Sequence, residues 1–445
     1  MNRMLRDRRF LILTVGHALN GIGSWAALIA IWGYAAYQFG LGPTHLGLLA
    51  LAWGIPPVVL GPVAGVAIDR LGPRRVAITA DLSNAAVALV MITAADMTTL
   101  LWLTVLHGIG KAFAAPAYAA LPARAVDADD LFDANALFSA AGDLAMVLGP
   151  VVAAAVIAAA GPAAAFAVDA ATYLFGAAAT LPLRLRPIAV TERAPSGGAW
   201  AELREGLRVT WMSPGAKFLF GLGFSLWLAF GTFIVLEPVF VRDVLGQPVT
   251  TFALLQTAFG IGLVGAGMAL PALRRHLESA ASMGLVILAA GVAATAYAAT
   301  PILAVAFTAS FAWGVSVALF SAPSRTLLLR HTPAHAHGRV LGAWQGANSL
   351  GQLLPALAVP AFAFLGTQAS LIACGALLAV VGAAGVWSAD PDRSDRPRLG
   401  VVDDAVLACP LRLVEQRVGP GPQLVRCSAV GRASQTRVDR DAQLG

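Results

Sequence analysis

The chain is predicted to be an all-α membrane protein of twelve transmembrane helices in two six-helix bundles. Three observations predict this. Of its 445 residues, 58% are hydrophobic and 12% charged, against about 25% charged in an ordinary soluble domain. Apolar runs of about 20 residues, the length that crosses a bilayer, fall near 10–38, 45–68, 74–95, 98–121, 135–158 and 163–184, and again near 216–240, 250–272, 280–299, 301–325, 338–364 and 368–388. The basic residues are also one-sided. One set of segments holds Arg3, Arg6, Arg8, Arg9, Arg70, Arg74, Arg75, Arg124, Arg184, Arg186, Arg193, Arg204, Arg208, Lys217, Arg274, Arg275, Arg330 and Arg339; the opposite loops hold only Arg242. Cytoplasmic loops carry such an excess, so the sequence predicts a multi-pass cell-membrane protein with both termini in the cytoplasm.

The predicted divisions are 1–185 and 215–390 for the bundles, 186–214 for a cytoplasmic linker and 391–445 for a disordered cytoplasmic tail. The basic N-terminus leads into an apolar run with no small-residue cleavage site, so a retained first helix is expected. The net charge of +6 sits in loops and tails, with no alternation of aromatic and basic residues, so nucleic-acid binding is excluded. Cys374, Cys409 and Cys427 have no disulfide or zinc spacing. His331, His335 and His337 have no carboxylate or Cys beside them and read as a solvated basic loop. No phosphate-binding Gly-x-x-x-x-Gly-Lys loop and no hydrolytic constellation is present. An enzyme, a metal site and a cofactor are therefore not expected.

The elements can be justified in order. His17, Asn20 and Ser24 share one face of the first helix, suited to bonding between helices. Gly72-Pro73 turns the chain between the second and third helices, and Gly65 lets them pack closely. Asp81 lies near the inner end of the third helix and is expected to pair with a loop Arg. His107 and Lys111, four apart, share a face of the fourth; a mid-span Lys is costly and should face a wet cavity or an acidic partner. Gly149-Pro150 kinks the fifth helix, because Pro removes a backbone donor. Asp143 and Asp169 are the deepest acidic residues, and a buried carboxylate is a candidate proton carrier, so the proton-coupling candidates are Asp143, Asp169, His107 and Lys111. The linker stretch from Trp200 alternates apolar and charged residues as a surface helix does. Glu237, next to Pro238, is expected to be solvated. Gly265 and Arg274-Arg275 echo Gly65 and Arg74-Arg75 at an offset of 200, as internal duplication would produce.

The run Gly65-x-x-x-Asp69-Arg70-x-Gly72-x-Arg74-Arg75 resembles the signature loop between helices 2 and 3 of the major facilitator superfamily. With Leu121-Pro-Ala-Arg124, Phe132-Asp-Ala-Asn135, Gly149-Pro150, Phe166-Ala-Val-Asp169-Ala, Pro323-Ser-Arg-Thr326 and Gly338-Arg339-Val-Leu-Gly342, the chain resembles the branch of macrolide-efflux proteins and enterobactin-type exporters. The resemblance implies a cytoplasmic latch of Gly65, Asp69, Arg70, Gly72, Arg74 and Arg75, with Arg339 as the partner of Asp69. It implies substrate contacts from His17, Asn20 and Trp25 on the first helix, with Trp227, Trp313, Gln345 and Asn348 as further lining. Two departures stand out. Thr104 occupies the place of the Arg that many proton-coupled members carry on helix 4. Ala145, Ala153 and Ala154 replace glycines of the exporters' Gly-Pro motif on helix 5. What the resemblance implies overall is alternating-access export of small amphipathic molecules of drug, macrolide or siderophore type. The implied partners are the small-molecule substrate, exchanged protons and the lipid bilayer, and a monomer is expected. An importer or facilitator on the same fold, and a non-transporting membrane sensor or scaffold, stay open as alternatives.

Overall fold

The computed structural model describes residues 7–127, 130–183, 185, 198–333 and 336–388. The predicted tail and linker residues 186–197 lie outside the described residues.

Helix α1, Arg8–Gly33, begins where the Asp7 carboxylate accepts from the N–H groups of Arg9 and Phe10, at 2.9 and 3.3 Å. That side chain satisfies two of the orphan donors at a helix start. The helix runs on into a wide π turn, Tyr34–Gln38. Helix α2, Pro43–Leu71, carries Pro56, Pro57 and Pro62 inside it. Gly72 then closes α2 at φ +83°, its N–H on the carbonyl of Ile68, and Pro73 opens α3, Pro73–Met91. A positive-φ Gly followed by Pro at the first helical position is a stop and a start in two residues. The same device, Gly161 at φ +81° and Pro162, joins α5, Leu131–Ala160, to α6, Pro162–Thr180. Between them lies α4, Met97–Ala125. A residue with a Cβ is strained at this positive φ with extended ψ, at a cost of about 1–3 kcal/mol. Gly72→Ala is therefore expected to lower the melting temperature of the purified protein without altering its helical content, measured by circular dichroism.

The amphipathic helix α7, Gly198–Met212, leads into α8, Pro214–Asp243, α9, Val249–Leu273, and α10, Ala280–Ala299. These are followed by α11, Leu303–Arg330, α12, His337–Leu357, the short α13, Val359–Leu365, and α14, Thr367–Ser388. The span expected at 338–364 is thus two helices, because the chain breaks at Ala358, three residues after Pro355. Among the described residues, ten helices are long and apolar enough to cross a membrane. Of the remaining long helices, α3 and α12 are the more polar, α3 carrying Asp81 and Asn84 and α12 carrying Gln345, Asn348 and Gln352. Ten spans plus these two are consistent with the predicted all-α membrane fold. Val59, Trp102, Met268, Val380 and Trp387 stand exposed on its outside, the arrangement expected where the solvent is lipid.

The packing repeats. In the first half α1 packs on α5 and α6, α3 on α4 and α6, and α2 on α4. In the second half α8 packs on α12 and α14, α10 on α11 and α14, and α9 on α11. Each pair maps onto its counterpart six spans later, as in a duplicated transporter-type fold. The halves meet through α5 against α9 and α2 against α12, two seams related by the same exchange. Helix α7 lies on α12 and α8, where Gly206 leaves room for the Arg339 carbonyl.

Candidate functional site

A cavity of about 710 Å³ opens between the halves. It runs from Trp32, near the end of α1, to Asn135 and Phe138 in the first turns of α5. Most of its wall belongs to the first half; α8 contributes Ile234, and α12 contributes Ser349, Gln352 and Leu353. His17, Asn20, Trp25 and Lys111 are in its lining. His17 stacks on Phe138 with ring centroids 3.9 Å apart. Trp25 backs against Gly149 of α5, where a Cβ would collide with it. Pro150 follows inside α5, which stays helical through it. Trp227, Trp313, Gln345 and Asn348 lie outside this lining. Trp313 is buried among Phe230, Phe233 and Phe259, Trp227 packs on Phe230, Gln345 is exposed and Asn348 is buried.

Two polar tiers stand behind the first-half wall. In the tier nearer the Gly72 turn, Asp81 is fully buried; one of its oxygens accepts from Asn20 Nδ2 at 3.0 Å and the other from the Tyr118 hydroxyl. The expected pairing of Asp81 with a loop Arg is therefore corrected. Its side chain turns inward between α1 and α4, where Asn20 and Tyr118 supply the donors a buried carboxylate requires. In the deeper tier the Tyr173 hydroxyl lies 3.0 Å from Ser24 Oγ and 3.2 Å from His107 Nε2. The His107 ring stacks on Trp53, centroids 5.0 Å apart. The Lys111 ammonium sits 4.5 Å from the centroid of the same indole, a favourable cation–π distance.

Asp169 is fully buried on α6, and neither carboxylate oxygen has a hydrogen-bond partner among the described residues. It lies within electrostatic reach of Lys111 and Asp81, without a direct ion pair. The expectation that Asp143 is as deep as Asp169 is corrected: the rotation of α5 leaves it exposed. The four proton-coupling candidates are thus distributed unevenly: Lys111, His107 and Asp169 share one neighbourhood, and Asp143 stands apart.

At the turn, Asp69, Arg70 and Arg75 are exposed, and Asp69 makes no hydrogen bond or ion pair among the described residues. Arg74 donates to the carbonyl of Leu181 at the end of α6, where a cation complements the helix terminus. The expectation that Gly65 lets α2 and α3 pack closely is corrected: it has open space around it, because neither helix approaches the other at that position. Arg339 is exposed in the first turn of α12.

The opposite end of the cavity is bridged. Arg242, in the last turn of α8, donates through one guanidinium nitrogen to the carbonyl of Ala36 in the π turn and to that of Leu41, the latter at 3.1 Å. Asp243 holds the other side of the guanidinium with two bonds, at 2.5 and 2.8 Å. Beside this clasp, Glu237 is 5% exposed, accepting from Gln256 Nε2 and the Tyr297 hydroxyl, both at 2.7 Å. The expectation that Glu237 is solvated is corrected: α9 and α10 cover it and provide both donors.

Trp53, Tyr118 and Tyr173 are the residues that sequence reasoning missed. Helical spacing carried a signal for two of them. Tyr118 follows Lys111 by seven and Tyr173 follows Asp169 by four, each on the same face as the residue before it.

Comparison with known proteins fits this architecture. Residues 13–356 match the model of the Major Facilitator Superfamily. The chain is 28% identical over 398 residues to the multidrug efflux pump Tap of Mycolicibacterium fortuitum, covering 85% of this chain and 94% of that one. It is 24% identical over 405 residues to the MFS-type transporter YfiS of Bacillus subtilis strain 168, covering 85% and 93%. Among solved structures, the nucleoside transporter NupG superposes with a TM-score of 0.69 at 12% identity, over 86% of this chain and 100% of that one. An inward-facing, unoccupied bacterial homologue of the human lysosomal transporter Spinster does so with a TM-score of 0.66 at 16% identity, over 86% and 96%. These superpositions show the fold. The family match over most of the chain shows the rest: this protein belongs to the Major Facilitator Superfamily, and is a multi-pass membrane transporter rather than an enzyme.

Proposed function

We propose that the protein exports small amphipathic molecules across the cell membrane in exchange for protons, with both termini in the cytoplasm. The observation that carries this reading is the pairing of one cavity with one sealed acid. The cavity has the size of a drug-type site, its wall is aromatic, and its lining holds a single ammonium and no carboxylate. The acid is Asp169, buried behind that wall without a hydrogen-bond partner. A carboxylic acid so placed costs far less neutral than charged, which suits a group that takes a proton in one state and gives it up in another. The efflux-pump relatives and the one-sided Lys/Arg distribution support the direction and the orientation.

In this mechanism the bundles 1–185 and 215–390 rock about the cavity, joined by the linker 186–214. The Arg242 clasp closes the outer end in the state described above. The Asp69 loop is unlatched, so the cavity faces the cytoplasm. In the opposite state Asp69 meets the basic start of α12 at Arg339, and the clasp is released. The exchange is a population shift driven by whichever ligand prefers each state.

Transport by inverted membrane vesicles tests the reading. A neutral fluorescent amphiphile such as Nile red is expected to accumulate several-fold when the vesicle lumen is acidic, and to leak out on addition of a protonophore. Accumulation in right-side-out vesicles instead would make the protein an importer. Equal, gradient-independent entry in both would make it a facilitator.

A further inference from the structure

We propose that Lys111 is the moving part that couples substrate to proton, and that Trp53 is the surface the substrate takes from it. The proposal rests on the exporter reading above and assigns the coupling step within the same cavity. Three observations meet here. Lys111 and Trp53 both line the cavity. The ammonium rests over the indole, 4.5 Å from its centroid, rather than on a carboxylate. The carboxylate within its electrostatic reach, Asp169, is sealed and has both oxygens unpartnered. The cation and the acid therefore lie within electrostatic reach of each other without pairing.

The consequence follows from competition for one face. A planar apolar group entering the cavity stacks on Trp53 and displaces the ammonium, which cannot remain desolvated without a partner. Asp169 is the neighbouring acceptor. As the ammonium arrives, the carboxyl O–H bond breaks, the electron pair stays on the carboxylate oxygen, and the proton passes to water in the cavity. Lys111 is an ammonium before and after, so one proton leaves and one ion pair forms. Substrate and proton thus exclude each other, which is the sign an exchanger needs; a substrate anion held by Lys111 would instead keep the ammonium from Asp169 and leave the acid protonated. The substrate class assigned by this geometry is a flat, neutral aromatic. The charged and titratable groups around Asp169 are Lys111 and His107 from α4, Asp81 from α3 and Tyr173 on its own helix, while α1 presents Gly23 there. Asp81 keeps its two donors throughout, from Asn20 and Tyr118.

The test uses purified full-length protein and Nile red, which does not titrate near neutrality. Binding is read from its fluorescence, and proton release from a pH indicator in weak buffer. Wild type is expected to release about one proton per dye bound, and its affinity to rise with pH by up to about tenfold per unit where release is complete. Lys111→Gln and Asp169→Asn are each expected to bind dye with no proton release and a flat pH profile. Lys111→Arg should restore both signals, which a merely structural role for Lys111 would not predict. Trp53→Leu should lose at least tenfold in dye affinity, while Trp53→Phe keeps most of it. Proton release undiminished in Lys111→Gln would overturn the proposal, and so would wild-type dye binding that releases no proton. Failure of wild type to bind Nile red would overturn it too. Gradient-driven efflux of other compounds from a drug panel would leave the exporter reading standing in each of those cases.

Discussion

Asp169→Asn should abolish gradient-driven accumulation in inverted vesicles, by at least about tenfold, while leaving dye-for-dye exchange in place. The size of the effect follows from the burial of this one group. Asp169 is fully enclosed, has no hydrogen-bond partner among the described residues, and lies within electrostatic reach of the Lys111 ammonium. Asn keeps the shape of the neutral acid but cannot lose a proton, so the cycle is left in one chemical state. Exchange requires only that the cavity alternate with substrate aboard, whereas accumulation requires that a proton return in its place. The distinguishing result is the split between the two assays. Loss of both would mark Asp169 as a packing residue, and retention of both would place the proton elsewhere. Asp143→Asn is the control: exposed on α5 and apart from the cavity lining, it should leave both assays near wild type.

The second large effect is expected at the far end of the cavity. Arg242→Ala removes the bonds from α8 to the carbonyls of Ala36 and Leu41. Hydrogen bonds from a charged donor contribute about 1.5–3 kcal/mol each, so losing them should move the population toward the outward-open state by tenfold or more. A reporter cysteine at Leu28, in a background lacking Cys374, Cys409 and Cys427, measures this. Its labelling by a membrane-impermeant maleimide from the outer side should speed up about as much as the population shifts. Arg242→Lys should fall between, because a single ammonium cannot hold Asp243 in the two-pronged way of the guanidinium while reaching the turn. An unchanged labelling rate in Arg242→Ala would reduce the clasp to a surface contact.

What was readable from the sequence, and what was not, divides along a physical line. The Gly72-Pro73 turn was legible because positive φ and a missing N–H are properties of the residues themselves. The buried acid Asp169 was legible because charge in an apolar run has few explanations. Trp53 was not: an indole in an apolar helix packs against a neighbour, faces lipid or lines a cavity with the same sequence signature. Asp81 and Glu237 were misjudged for one shared reason. Position along a helix gives depth in the membrane, but the rotation of the helix decides whether a side chain meets solvent, a loop or a Tyr from the adjacent helix. That rotation is set by packing, here by α1 and α4 around Asp81 and by α9 and α10 around Glu237. Gln345 and Asn348 show the same limit, since a register of three residues on α12 separates an exposed amide from a buried one.

The acceptors that Arg242 reaches in the first half are main-chain carbonyls, of Ala36 in the π turn Tyr34–Gln38 and of Leu41 just after it. Main-chain acceptors are the same whatever residue stands at the position, and they carry no titrating group. The outer closure can therefore tolerate sequence drift across 36–41, provided the wide turn itself is kept. Titration within the clasp is confined to Asp243, beside Arg242 on α8. The contact that crosses to the first half carries no titrating group, so acidity bears on how the guanidinium is braced and not on what it grips.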